Sequence, residues 1–152
     1  MVFNEAKPKG LLTAEQMREK LALAEAQKAA EAERTRIAAE AEKKALIDKL
    51  SNLPDITEEE RIKRAMAIIE RAVANGMVEV QVMRFPNSLC TDHGRAINQG
   101  ESGWEETLTG LPKEMYDFWY RQLRPLGYKV RFQIVDFPDG LPGDIGITLK
   151  WV

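Results

Sequence analysis

The sequence predicts an α+β protein: a long N-terminal alanine-rich helix, then a small α-β-α-β-β domain with a three-stranded mixed sheet covered by two helices. Three observations carry this expectation. Ala14 to Leu50 contains no glycine or proline and consists almost wholly of strong helix formers. Ile62, Ala65, Met66, Ile69, Ala72 and Val73 recur at the i, i+3, i+4, i+7 spacing of one helix face. Finally, Val78/Val80/Val82, Tyr128/Val130/Phe132/Ile134 and Ile145/Ile147/Leu149/Trp151 alternate with other residues at the two-residue period of a strand.

The expected organisation is a mobile N-terminus over residues 1–12, a helical arm over 13–51 and a compact α+β domain over 52–152. Pro8 and Gly10 punctuate the first segment. Thr13 followed by Gln16 has the spacing of a capping box at the start of the arm. Ten of the 24 residues from Ala22 to Ala45 are alanine, and the large apolar residues Leu12, Met17, Leu21, Leu23, Ile37, Leu46, Ile47 and Leu50 keep no a/d heptad. A helix of that length spans roughly 55 Å at 1.5 Å per residue, more than a domain of about 100 residues can cover. Two readings follow: a solvated helix or loose coiled coil, or an arm for oligomerisation or partner docking. Acidic and basic residues alternate along it without a bulky face, which excludes a basic amphipathic membrane helix.

Ser51-Asn-Leu-Pro-Asp55 interrupts the helix, because a residue before proline is pushed out of the α region. Thr57 then caps a second helix, with Glu60 at the capping-box position and Asn75-Gly76 at its end. The first strand runs from Met77 to Phe85. Gly100, Gly103 and Gly110 mark residues 87–109 as mostly loop, with a brief helix near 92–98, and the loop is long enough to carry function. Pro112 opens the next helix, whose core stripe is Met115, Phe118, Trp119 and Leu123. The last two strands form an antiparallel hairpin, and a right-handed crossover sets the first two strands parallel.

Composition limits the function. The 152 residues are 44% hydrophobic with a net charge of −2, so nothing favours non-specific nucleic-acid binding. A single cysteine, no stretch of signal-peptide character and no run of 18 apolar residues give the expectation of a cytoplasmic, soluble chain with no membrane partner. Nucleotide, nucleophile-elbow and zinc motifs are absent from the sequence, so no cofactor or metal is expected and no catalytic signature names an enzyme.

Three groups of residues could still carry chemistry. Cys90, Asp92, His93 and Arg95 include the only cysteine and the only histidine; a thiolate, a base and an orienting group are the parts of a nucleophilic site. Three neighbours in a loop rarely converge, so the plainer reading is a capped turn. Asp136, Asp139 and Asp144 supply carboxylates but not the ligand spacing of a calcium loop, and Pro-Asp-Gly is turn chemistry. Tyr116, Tyr120 and Arg124, at i, i+4 and i+8, share a helix face apart from the core stripe and make a candidate binding surface, since tyrosine and arginine anchor interfaces.

The favoured function is a non-enzymatic interaction or assembly module that meets another protein or itself through residues 13–51, with the α+β domain presenting a second surface. The alternatives are a small enzyme or ligand-binding domain using the 87–109 loop, and a nucleic-acid-binding domain using the aromatic and basic residues of 116–131.

Overall fold

The computed structural model describes residues 10–152. Most of the segment expected to be mobile, residues 1–12, lies outside them. The chain divides into two compact units, residues 1–43 and 44–152. Helix α1 (Ala14–Ser51) begins in the first and ends in the second.

The first unit is helix from Ala14 onward. Its start is the expected capping box: Gln16 N–H donates to Thr13 Oγ1 at 3.1 Å and Thr13 N–H to Gln16 Oε1 at 2.8 Å. Every residue from Ala14 to Leu46 is exposed. Glutamate precedes a basic residue by three positions at 15–18, 25–28, 31–34, 33–36 and 40–43, and Arg36 bridges Glu33 and Glu40. Such pairs contribute a few tenths of a kcal/mol each and let a helix stand without an apolar stripe.

The second unit is built on a three-stranded sheet: β1 (Glu79–Phe85), β2 (Lys129–Ile134) and β3 (Ile145–Lys150). The spatial order is β1-β3-β2, and both pairings are antiparallel. The α+β class is therefore as expected, but the sheet is antiparallel and not mixed. β1 and β2 do run in the same direction; β3 lies between them and opposes both. The register aligns Phe85, Ile145 and Ile134 in one row and Met83, Ile147 and Phe132 in the next, with Leu149 between Val80 and Val130. Since side chains alternate across a strand, these nine residues share one face. Ile145, Ile147 and Leu149 are at most 1% exposed. Each such side chain stabilises the fold by about 1.5–3 kcal/mol through burial. The opposite face is polar: Glu79, Gln81 and Arg84 on β1, Thr148 and Lys150 on β3, Lys129, Arg131 and Gln133 on β2.

A single layer of helices and turns covers the apolar face. Helix α2 (Glu58–Ala74) is capped by Thr57, whose Oγ1 accepts from Glu60 N–H. The Glu60 carboxylate turns to Arg64 at 3.3 Å, so only half of the expected box forms. α2 buries Ala65, Ile69 and Ala72, whereas Ile62 and Val73 at the edges of the expected stripe are exposed. Helix α4 (Gly110–Phe118) continues into a π-helical turn over Trp119–Leu123 and a 3-10 turn over Arg124–Leu126. It starts two residues before Pro112, which is buried.

Residues 87–109 are more ordered than a loop. They form a 3-10 turn at Asn87–Leu89, helix α3 (Arg95–Gln99) and a 3-10 turn at Trp104–Thr107, tied by a bridge between Cys90 and Leu108. Leu89, Cys90, Ala96, Ile97 and Leu108 are buried, and four of them join Phe85, Phe132, Ile145 and Ile147 in one cluster.

The end of α1 is part of the same core. Leu50 is 7% exposed and packs in that cluster, with Ile47 against it. Gly110 (φ +61°) passes so close to the last turn that a Cβ there would lie 3.0 Å from Ser51 Cα and closer still to the Leu50 carbonyl oxygen. The compact unit thus begins at Lys44, eight residues before the boundary expected at 52.

Candidate functional site

The four side chains of the 90–95 segment have different surroundings and, among the described residues, share no hydrogen bond. Cys90 is buried, and burial pushes its thiol up to about 11, against a smaller opposing hydrogen bond with Thr107. A buried, protonated thiol is a poor nucleophile. Asp92 folds back on its own backbone: Oδ1 accepts from Gly94 N–H at 3.0 Å and Oδ2 from Ala96 N–H at 2.9 Å. Burial alone would make the carboxyl a weaker acid, but the N–H groups of Ala96 and Gly94 outweigh it and hold its pKa below the ordinary value. His93 is exposed in the left-handed region (φ 55°), and Arg95 pairs with Glu101 at 3.0 Å. Asp92 thus shapes the turn into α3, and Arg95 spans that helix to Glu101 beyond its end.

The aspartates of the β2–β3 connection also have structural partners. Arg84 is held between Asp144 at 2.9 Å and Asp136 at 3.2 Å, and Asp136 Oδ1 accepts from Asp144 N–H. Asp139 sits at φ 53° in the turn itself. Among the described residues no three His, Cys, Asp or Glu side chains gather as a metal site requires.

The third group does come together. The Tyr116 and Tyr120 rings lie 6.3 Å apart, and the Arg124 guanidinium stands 4.6 Å over the Tyr120 ring. Tyr116 also meets Trp104 edge-on at 5.5 Å and Trp119 at 5.6 Å. Trp119 is fixed by its indole N–H donating to the Tyr128 carbonyl at 2.9 Å. The row therefore grades from Trp104, against Phe132 in the core at 4.9 Å, to Tyr120, which is 52% exposed. Tyr116 is partly buried and its hydroxyl pushed up by that burial. A rigid aromatic row ending in an exposed arginine suits a partner surface, where large side chains with few torsions lose little entropy on binding.

One further site is not apparent in the sequence. A cleft of about 280 Å³ lies between α2, α4, the 54–56 linker and the sheet. Pro54, Ile68, Val82, Met83, Met115 and Phe118 form most of its apolar wall. Arg61, Arg64 and Glu114 are its charged lining residues. Val82 reaches it because the β1–β3 register shifts between Gln81 and Met83, leaving Val82 as an extra residue in the strand. Around the cleft, Glu114 pairs with Arg61 and, at 2.9 Å, with Arg121, which in turn holds Glu58 at 2.9 Å. That hydrogen bond from Arg121, offset in part by burial, keeps the Glu58 carboxyl below its ordinary value.

Comparison of the chain with models of protein families, with curated proteins and with solved structures gives no match in any of the three. Among the described residues no helix is long and apolar enough to cross a membrane.

Proposed function

We propose that this chain is a non-enzymatic interaction module, in which the N-terminal helix docks a partner protein or a second copy and the α+β unit offers a second surface at Tyr116, Tyr120 and Arg124. The observation that supports this most directly is the burial along α1: Met17, Leu21, Leu23 and Ile37 are each more than half exposed. Isolated helices owe most of their stability to packing, and four large apolar side chains left in water are the part a partner would cover. A loose coiled coil is one form of that association; the absence of a heptad makes a stable zipper dimer the weaker form. A cytoplasmic setting belongs to the same reading and is supported by a cysteine kept as a buried free thiol.

Solution mass by light scattering tests it, on residues 1–152 and on a chain starting at Lys44, since a cut at Ser51 would remove Leu50 from the core. An oligomeric full chain with a monomeric truncation makes the helix an assembly device. A monomeric full chain that also retains no partner from its native extract defeats the proposal.

A further inference from the structure

The cleft between α2 and α4 carries chemistry of its own. Its walls are apolar, and its volume of about 280 Å³ is near the low end of small-molecule sites. Taking about 30 Å³ for a group the size of a water molecule, it holds about nine heavy atoms. The charged residues lining it are two guanidiniums and one carboxylate, and with Glu60, Glu58 and Arg121 beside them the local charge balances, so what the cleft offers is unpaired guanidinium donors. Arg61 is half-sequestered, with 17% of its side chain exposed, and among the described residues its one hydrogen bond uses Nη1, to Glu114. Glu114 is itself shared with Arg121. The Nε and Nη2 donors of Arg61 therefore lack a protein acceptor. Arg64 stands one turn further along α2, 61% exposed, and its only ion pair is the exposed Glu60 at 3.3 Å. Surface pairs of that kind are worth little, so Arg64 is free to turn to a better acceptor.

We propose that this cleft binds a medium-chain carboxylate, its acyl tail among Ile68, Val82, Met83, Met115 and Phe118 and its head group on Arg61 and Arg64. The pairing follows from the chemistry of each part. A tail of about nine carbons fills the volume, and a carboxylate accepts from the guanidinium donors that the protein leaves unpaired. An aliphatic amine of the same length would set ammonium donors against guanidinium donors, and an alcohol would leave the arginines without an anionic acceptor.

The test is a titration of the full chain with decanoate, read by NMR on methyl-labelled methionine. Met83 and Met115 line the cleft, and Met17 on the exposed N-terminal helix is the internal control. Saturable shifts at Met83 and Met115 with Met17 unmoved are expected. Decanol should bind at least tenfold more weakly and decylamine more weakly again. Octanoate, two methylenes shorter, should lose about fifteenfold at about 0.8 kcal/mol per methylene. Arg64→Gln, at an exposed position that folding tolerates, should weaken decanoate about fivefold and leave decanol unchanged. Ile68→Trp, at a side chain 39% exposed, should block the mouth and abolish the shifts. The proposal is overturned by any of three results: no saturation at Met83 and Met115, equal movement of Met17, or decanol binding as tightly as decanoate.

Discussion

Replacing Gly110 by alanine should cost the second unit about 2–5 kcal/mol, and the sum has two separable parts. Gly110 lies at φ +61°, where a side chain costs about 1–2 kcal/mol because its Cβ crowds the neighbouring carbonyl. A Cβ there would also lie 3.0 Å from Ser51 Cα and 3.3 Å from the Leu50 carbonyl carbon, with the carbonyl oxygen nearer still. All of these are backbone atoms, so relief requires α4 and the end of α1 to separate, and overpacking of this kind costs about 1–3 kcal/mol. Gly100→Ala supplies the control: φ is +66° but nothing lies within 4 Å, so only the first part applies. Urea unfolding followed by tryptophan fluorescence reads the right unit, because Trp104, Trp119 and Trp151 all lie beyond residue 44. If Gly110→Ala loses no more stability than Gly100→Ala, the last turn of α1 is not packed under α4 and the reasoning is wrong.

Three further outcomes are expected. Leu50→Ala should cost about 2–5 kcal/mol in the same assay, while Leu21→Ala, 59% exposed, should stay within about 0.5 kcal/mol. Cys90 should react with an aromatic disulfide reagent at pH 8 at least a hundredfold more slowly in the native protein than in urea. Because its folded value is raised, the associated stability is complete below the ordinary thiol range and drains away as pH rises from about 9 toward 11. Asp92→Ala should cost about 0.5–2 kcal/mol at neutral pH through loss of two N–H acceptors. The carboxyl's folded value is lowered, so its contribution is present above the ordinary aspartate range and fades as pH falls below it; acid titration should bring variant and wild type together.

How far the sequence could be read depended on whether the information was local. α2 was legible because its cap, its end signal at Gly76 and its apolar spacing all lie within 20 residues; only the width of the buried stripe was overstated, since exposure of Ile62 and Val73 depends on what sits beside the helix. The same spacing rule groups Tyr116, Tyr120 and Arg124, which stack across a π-helical turn, but Tyr116 is not apart from the core stripe: it packs against Trp119 and Phe132. The sheet is antiparallel and not mixed because β3 lies between β1 and β2, and the sequence holds a signal for that central place. β1 carries Glu79 and Arg84 and β2 carries Lys129 and Arg131 on their outer faces, whereas β3 carries one charge, Lys150, at its very end and is uncharged from Ile145 to Leu149, which suits a strand flanked on both edges. The glycines of residues 87–109 read as loop signals in the sequence; in the fold they punctuate short helical segments from which Leu89, Ile97 and Leu108 reach the core. The boundary at 52 followed Pro54, the local breaker, and overlooked Ile47 and Leu50, whose packing depends on α4 some 60 residues on. The cleft could not be foreseen at all, because its walls come from four elements distant in sequence.

The position of β3 governs the order in which this domain can assemble. β2 and β3 are close along the chain, Ile134 pairing with Ile145, so their hairpin closes at small entropic cost. β1 pairs with β3 across 60 residues at Phe85–Ile145 and more at Glu79–Lys150, and such distant pairings slow folding. A nascent chain that has not yet emerged past Leu149 holds two strands that pair only through a third. β1, synthesised first, waits with its valines uncovered until the hairpin exists to receive it. Throughout that interval the partly made protein presents an open strand edge, and the speed of hairpin formation sets how long that edge is exposed to aggregation.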